Sequence, residues 1–231
     1  LRSNELGENF GVAIQDDLAN NTALRKLYLG TNDLGDKGGA SIIRGLKNNT
    51  TLRVLFLIMN NLGEKFGVAI QDDLANNTGL HTLLLGNNDL RDEGGAAIIR
   101  GLNNTLRELH LSWNNLGENF GLVIQDDLTK NTGLHTLNLN TNNLGEASGA
   151  AFVEALTQNS TLAELNIDIN PAVSPATVAK IKFALSPELK GLLNHRSVSP
   201  SRIPVCIVGF DNVGKTELVN TWHQTTAHEN P

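Results

Sequence analysis

An α/β solenoid is the fold that this sequence predicts, with a curved parallel sheet on its concave face and helices on its convex face. Two observations predict it: a line of the form L-x-x-L-x-L-x-x-N-x-L recurs, and a helical pattern of apolar residues follows each line. Six similar lines open at the following residues: Leu24, Leu52, Leu80, Leu106, Leu134 and Leu162. They are 28 residues apart, except for one step of 26 from Leu80 to Leu106.

Each repeat predicts a strand, a turn and a helix. Leu27 and Leu29 alternate with other residues, as in a short half-buried strand. An asparagine such as Asn32 follows each strand, where its amide can satisfy backbone groups that no ladder reaches. Ile42 and Leu46 then lie four residues apart, on one face of a helix. One unit cannot bury its own apolar face, but a stack of units forms a continuous core.

These repeats resemble the leucine-rich repeat family, and the stretches "LGDKGG" and "LKNNTT" are similar to its ribonuclease-inhibitor-like class. The resemblance covers residues 1–170, one partial unit and about six full units. The fourth residue after the last leucine of each line alternates between large and small: Phe10, Gly38, Phe66, Gly94, Phe120 and Ser148. This alternation predicts a two-repeat packing unit, in which each phenylalanine fills space left by a neighbouring glycine or serine.

The residues between the inward leucines are predicted to face the concave side. Over the first four full repeats, the apolar and aromatic residues among them are Tyr28, Phe56, Ile58, Met59, Leu84 and Trp113. His110 belongs to the same row. An exposed patch of this kind is typical of a protein-binding site. The alternative is that a part of the protein outside this sequence covers some of these side chains.

Charged residues recur with the same period. The residue after each opening leucine gives a mostly basic row: Arg25, Arg53, His81, Arg107 and His135. This row is predicted to lie along one rim, where it either steers an acidic partner or forms a solvated edge. Paired aspartates such as Asp72 and Asp73 indicate a solvated convex face, because consecutive residues point in different directions on a helix.

The repeat pattern ends at Asn170, and residues 171–201 are predicted to hold capping helices and a linker. Ser174 followed by Pro175 is typical of a helix start. Val178, Ile181 and Leu185 then mark one apolar face. The sequence therefore predicts a helix over residues 174–186 that covers the last repeat.

A second motif lies near the end of the sequence. Four apolar residues, Val205 to Val208, run into G-x-x-x-x-G-K-T, which is the setting of a phosphate-binding loop. The predicted nucleotide-binding residues are Gly209, Asp211, Asn212, Val213, Gly214, Lys215 and Thr216. Lys215 is expected to reach the β- and γ-phosphates, and the Thr216 hydroxyl is expected to bind Mg²⁺. The alternative is a strand, turn and helix with an accidental lysine.

The stretch "PVCIVGFDNVGKTELVNTW" resembles the opening of a Ras-like GTPase domain. Repeats that precede such a domain are similar to the Roco family, in which they lead into a Ras-like Roc domain and a dimerising COR domain. The resemblance implies GTP with Mg²⁺ as ligands, slow hydrolysis, and repeats that bind partners or regulate the GTPase. Residues 202–231 contain neither D-x-x-G nor N-K-x-D. This chain alone is therefore expected to bind nucleotide weakly or not at all, and to catalyse no hydrolysis.

Composition narrows the classes of function. The 24 acidic and 18 basic residues give a net charge of -6, which predicts no general attraction to nucleic acid or anionic lipid. The single cysteine, Cys206, fits a reducing compartment, and with the phosphate loop it predicts a cytoplasmic location. The first residue is not Met, which indicates a piece of a longer protein. We expect this chain to be monomeric, and the Roco resemblance implies that the longer protein is a dimer.

Three functions compete at this point. The first is a protein-interaction scaffold that uses the concave face. The second is a GTP-binding and GTP-hydrolysing protein whose remaining GTPase domain lies outside this chain. The third is a secreted recognition repeat, which the single cysteine and the phosphate loop disfavour.

Overall fold

The computed structural model describes residue 1 and residues 3–186. The strands are β1 Lys26–Tyr28, β2 Val54–Phe56, β3 Thr82–Leu84, β4 Glu108–His110, β5 Thr136–Asn138 and β6 Glu164–Asn166. The helices are α1 Gly7–Ala13, α2 Gln15–Asn20, α3 Gly35–Gly45, α4 Glu64–Asn76, α5 Arg91–Arg100, α6 Phe120–Lys130, α7 Glu146–Leu156 and α8 Pro175–Ala184. Strands alternate with helices along these residues, so the predicted leucine-rich repeat solenoid is confirmed.

The six strands form one parallel sheet in the order β1-β2-β3-β4-β5-β6. The central leucine of each strand pairs with the central leucine of the next, as Leu55 does with Leu83. Leu55 and Leu83 are fully buried, whereas the residues on either side of them are half-exposed. Because strands stack about 4.8 Å apart and helices need about 8–10 Å, such a stack curves with its strands on the inside. The solvent-facing side of the sheet is therefore the concave face.

A ladder of asparagines joins consecutive coils just after the strands. Asn60 is fully buried, and its Nδ2 donates to Leu29 O of the preceding coil at 2.9 Å. Its Oδ1 accepts from the backbone N–H of Asn32, at 3.1 Å. Asn142 repeats the arrangement with Leu111 O and the N–H of Asn114. The predicted role of these asparagines, to satisfy backbone groups where the chain turns inward, is confirmed.

A second row of asparagines lies where the helices lead back to the strands. Asn49 Nδ2 donates to Leu18 O and Asn21 O of the preceding coil, at 2.7 and 2.9 Å. Its Oδ1 accepts from Leu52 N–H, at 2.9 Å. Asn159, four coils later, makes the same contacts with Leu128 O, Asn131 O and Leu162 N–H. Asn49 and Asn159 are both buried. This row was not predicted, although an asparagine recurs at this position in every coil from Asn49 to Asn159.

The helices pack in two alternating ways. Within the pair α4 and α5, a Cβ on Gly67 would overlap the carbonyl oxygen of Gly94, so the two backbones touch. Between pairs, the ring of Phe66 fills the space beside Gly39, where an added Cβ would lie 3.0 Å from the ring. The predicted two-repeat unit is therefore present, with one difference. The rings of Phe66 and Phe120 cover Gly39 and Gly95, the glycines after the predicted ones, because Gly38 lies against the backbone of Glu8 and Gly94 against that of Glu64.

Helix α8 covers the last coil. The Ser174 Oγ accepts from Thr177 N–H at 3.2 Å and caps the helix, and Pro175 is its first residue, as the sequence predicts. Ile181 is buried, and Val178 and Leu185 pack against the core. A Cβ on Gly149 of α7 would lie 2.5 Å from Thr177 Cγ2, so the two helices meet closely.

Glu146 fastens α8 to the start of α7. Its carboxylate accepts from the Ser174 backbone N–H at 2.9 Å, from the Ser174 hydroxyl at 3.1 Å, and from the Thr177 hydroxyl. The Ser174 N–H and the Thr177 hydroxyl hold the pKa of the Glu146 carboxyl below its usual value, because they bind the charged form.

One prediction about the convex face was wrong. Asp72 is exposed, but Asp73 is buried, with 9% of its surface accessible. Its carboxylate lies 3.7 Å from Arg44 Nε and 3.6 Å from Lys47 Nζ, both near the end of α3. The second aspartate of the pair points towards the preceding helix, so it is an interhelical ion pair and not a solvated residue.

Candidate functional site

The parallel register assembles a continuous row of side chains on the concave face. The third residue of each strand contributes to it: Tyr28, Phe56, Leu84, His110, Asn138 and Asn166. All six are half-exposed. The predicted concave positions of the first four of these residues agree with the alternation along each strand, because the leucine before each one faces the core; Leu27 is half-buried, and Leu55, Leu83 and Leu109 are fully buried.

In strands β1 to β3 the solvent-facing residues are mostly apolar, and Lys26 at the start of β1 is the one charged residue among them. The rings of Tyr28 and Phe56 stack with their centroids 4.3 Å apart and an angle of 26° between their planes. Leu84 follows Phe56 in register, and Val54 lies on the same face at the other end of β2. Ile58, two residues after Phe56, is half-exposed. We call these five residues the apolar half; sequence reasoning missed Val54, although period-two alternation from Phe56 would have found it.

The second half of the face is acidic. Glu108, Glu164 and Asp168 are exposed, and we call them the acidic half. The Glu108 carboxylate accepts from the Thr82 hydroxyl at 3.3 Å, and the Glu164 carboxylate from the Thr136 hydroxyl at 3.4 Å. Within residues 1 and 3–186, no lysine, arginine or histidine forms an ion pair with these three carboxylates. Sequence reasoning did not select them, although Glu108 and Glu164 begin their strands.

Beside the sheet, the residue before each ladder asparagine adopts a left-handed backbone conformation. These residues form what we call the left-handed rim, with φ between 51° and 59°: Thr31, Met59, Asn87, Trp113, Thr141 and Ile169. L-residues other than asparagine and glycine adopt this conformation at a cost. Large apolar residues occupy it in alternate coils and are exposed, Met59 by 47%, Trp113 by 60% and Ile169 by 70%. Met59 and Trp113 were predicted on the concave face; they lie at its edge, and Ile169 extends the series.

The basic row is engaged in contacts between coils. Arg53 Nη1 donates to Gly79 O of the next coil at 2.5 Å, and Arg107 Nη1 donates to Gly133 O at 2.9 Å. Arg25 instead binds Thr22 O of its own coil, at 3.2 Å. The hydrogen bonds of Arg53 and Arg107 join adjacent coils, so these two arginines have a structural role.

Charged groups near the helix starts also satisfy one another. An open depression there is lined by Asp89, Arg91 and Asn115, among others. Asn115 Nδ2 and Arg91 Nε donate to the Asp89 carboxylate at 2.7 and 3.1 Å, and they hold the pKa of that carboxyl below its usual value. In the part of the chain that the structure describes, no group of three or more His, Cys, Asp or Glu residues could hold a metal ion.

The predicted phosphate loop lies outside the described residues. This applies to every residue assigned to GTP or Mg²⁺, from Gly209 to Thr216. In the described residues, no helix is long and apolar enough to cross a membrane.

The fold and its surface define a class of protein: a leucine-rich repeat array whose exposed sheet carries the residues that vary from coil to coil. A family model for the leucine-rich repeat matches residues 20–42, 76–98 and 102–119, so the chain contains repeats of this kind. Among curated proteins, no sequence matches the chain.

Two solved structures are similar to it. One is titled actin-binding site 2 of leiomodin-1, with 17% identity and a TM-score of 0.52 over 81% of this chain and 92% of that one. The other is the C-terminal domain of tropomodulin from Caenorhabditis elegans, with 13% identity and a TM-score of 0.50 over 82% of this chain and 97% of that one. At these identities, the likeness shows the fold alone.

Proposed function

We propose that this chain is a protein-interaction scaffold that binds its partner on the concave face and the adjoining left-handed rim. The observation that carries the proposal is the set of large apolar side chains left in solvent there. Trp113 is 60% exposed and sits in a backbone conformation that asparagine adopts more readily, as it does at Asn87 of the preceding coil. A stability requirement alone does not account for a tryptophan at this position.

The stacked pair Tyr28 and Phe56 supports the same surface. Aromatic side chains bring a large contact area with little loss of conformational entropy, and they are enriched at the centres of interfaces. The titled role of the leiomodin-1 domain, an actin-binding site, supports protein binding as a use of this fold. Actin is therefore the first defined partner to test, by a binding assay with the purified protein.

Site-specific photo-cross-linking tests the scaffold. A photoreactive phenylalanine replaces Phe56 on the concave face, and a matched variant carries it at Val68, which is exposed on α4. In cells that express the protein, we expect a covalent adduct of one defined partner from position 56 and none of that partner from position 68. Equal adducts from both positions, or none from position 56, contradict the proposal.

We propose a second activity, GTP binding with Mg²⁺, for a longer Roco-like protein that contains this chain. The support is the sequence G-F-D-N-V-G-K-T after an apolar run, together with the order of repeats and motif. Lys215 and Thr216 would contact the phosphates and the metal ion. The same proposal includes a cytoplasmic location and a dimeric state for the longer protein. We expect this chain to be monomeric.

Titration with a fluorescent GTP analogue tests that activity. In a longer protein that includes the remaining GTPase domain, we expect Mg²⁺-dependent binding that Lys215→Ala abolishes. This chain is expected to bind weakly or not at all, and Lys215→Ala is expected to leave its signal unchanged. A longer protein that binds equally well with and without Lys215 contradicts the proposal.

A further inference from the structure

We infer that the partner segment on the concave face is one amphipathic α-helix, apolar at one end and rich in lysine or arginine at the other. This inference rests on the proposed scaffold function. It orients the helix along the array, with its apolar end over the apolar half and its basic end over the acidic half. Three features of the surface carry the inference: the segregation of its side chains, the spacing of its coils and the spacing of its rim.

The segregation sets the chemistry of the partner. The stacked rings of Tyr28 and Phe56 lie in the first two strands, and the carboxylates of Glu164 and Asp168 lie in and just after the last one. Glu108 lies between these ends, in β4. Carboxylates that have no ion-pair partner among the described residues attract lysine and arginine, and apolar rings attract apolar side chains. A partner with both kinds of residue mixed evenly would place a charge over the rings and leave carboxylates facing apolar groups.

The spacing of the coils favours a helix over an extended strand. Neighbouring strands are about 4.8 Å apart, and one turn of an α-helix rises about 5.4 Å, so a helix presents about one turn to each coil. Same-face residues of an extended strand are about 6.7 Å apart. Across the five strand-to-strand steps, a helix drifts out of register by about 3 Å and a strand by about 9.5 Å. The same five steps span about 24 Å, the length of about 16 helical residues.

The left-handed rim fits the same helix. Met59, Trp113 and Ile169 occupy alternate coils, so they are about 10 Å apart, and helix residues seven positions apart are separated by about 10.5 Å. We therefore expect an apolar stripe with seven-residue spacing on the side of the helix that faces the rim. The face towards the sheet changes from apolar to basic along its length.

Three synthetic helical peptides of about 16 residues test the inference against the full chain. A block peptide has leucines in one half and lysines in the other, an interleaved peptide has the same composition spread evenly, and an acidic block peptide has glutamate in place of lysine. Affinity is measured by fluorescence anisotropy. We expect the block peptide to bind about tenfold more tightly than the interleaved one, and the acidic peptide to bind least.

Charge variants locate the basic end. E108Q/E164Q/D168N is expected to weaken block-peptide binding about tenfold and to remove its advantage over the interleaved peptide. The matched control D72N/D126N/E154Q changes the same number of exposed charges on the helices and is expected to leave binding unchanged. Equal binding of the block and interleaved peptides, or equal effects of the two triple variants, overturns the inference. If position 56 still cross-links a partner, the scaffold function survives that result; if it does not, both fail.

Discussion

The two sides of the sheet differ in how much they vary from coil to coil. Towards the core, the middle residue of every strand is leucine: Leu27, Leu55, Leu83, Leu109, Leu137 and Leu165. Towards solvent, the next residue changes from Tyr28 through Leu84 to Asn166. Packing sets the core side, where each coil must match its neighbours. The solvent side has no such requirement, so its residues are free to vary with the partner that we propose for this face.

The largest expected effect on stability distinguishes a buried residue from an exposed residue of the same helix. Phe66 is fully buried, and Val68, two residues later in α4, is 48% exposed. We expect Phe66→Ala to lower the free energy of unfolding by about 3–5 kcal/mol, because it leaves a cavity beside Gly39. Val68→Ala should change it by less than about 0.5 kcal/mol. Urea unfolding followed by circular dichroism measures both, and similar values would break the comparison.

A smaller loss is expected for the ladder between coils. Asn60→Ala removes the acceptor of the Asn32 N–H and a donor to Leu29 O, so we expect a loss of about 2–4 kcal/mol. Asn61, the next residue, is exposed and contacts only Asp33 through its side chain in the described part of the chain. Asn61→Gly removes this contact and still tolerates the left-handed backbone at φ of 55°, so it should cost less than about 0.5 kcal/mol in the same unfolding experiment. A large loss at Asn61 would show that the exposed loop, and not the buried amide, fastens the coils.

The third prediction is a gain of stability from a substitution at an exposed residue. Trp113→Asn places a residue that tolerates the left-handed conformation at a position with φ of 55°. The free energy of unfolding should therefore rise, by up to about 1 kcal/mol. Partner cross-linking from position 56 should fall, because an exposed apolar contact is lost. Thr141→Asn, at the same position of the next coil, is the control: a comparable stability change with unchanged cross-linking. A loss of stability in Trp113→Asn would assign the tryptophan to the fold.

The smallest effect concerns pH. The folded pKa of Glu146 is held below its usual value, so its stabilising contribution is present above about pH 4.5 and is lost as the pH falls through the folded pKa. We expect Glu146→Gln to be slightly less stable than the original chain at neutral pH, because the carboxylate contacts to Ser174 and Thr177 are weakened. The difference between the two melting temperatures should shrink towards pH 3, and a constant difference would contradict this account.

Period and packing explain how much could be predicted from the sequence. The 28-residue period predicted the strands, the ladder asparagines and the concave row, because each depends on a position that recurs. The burial of Asp73 could not be predicted from that period, since it depends on the direction of Arg44 in the preceding helix. The left-handed rim also escaped prediction, because Trp113 and Ile169 are residues that sequence rules place elsewhere. The phosphate loop stays a prediction.

The asparagine ladders also give the array a direction. Asn60, Asn88 and Asn142 each donate to the coil before them, and the second row, with Asn49 and Asn159, does the same. These asparagines therefore satisfy carbonyl groups of the coil before them. During synthesis, the carbonyl groups that these asparagines bind stay without that hydrogen bond until the next coil has left the ribosome. Deleting a coil from the C-terminal side should accordingly expose more unmet carbonyls than deleting one from the N-terminal side.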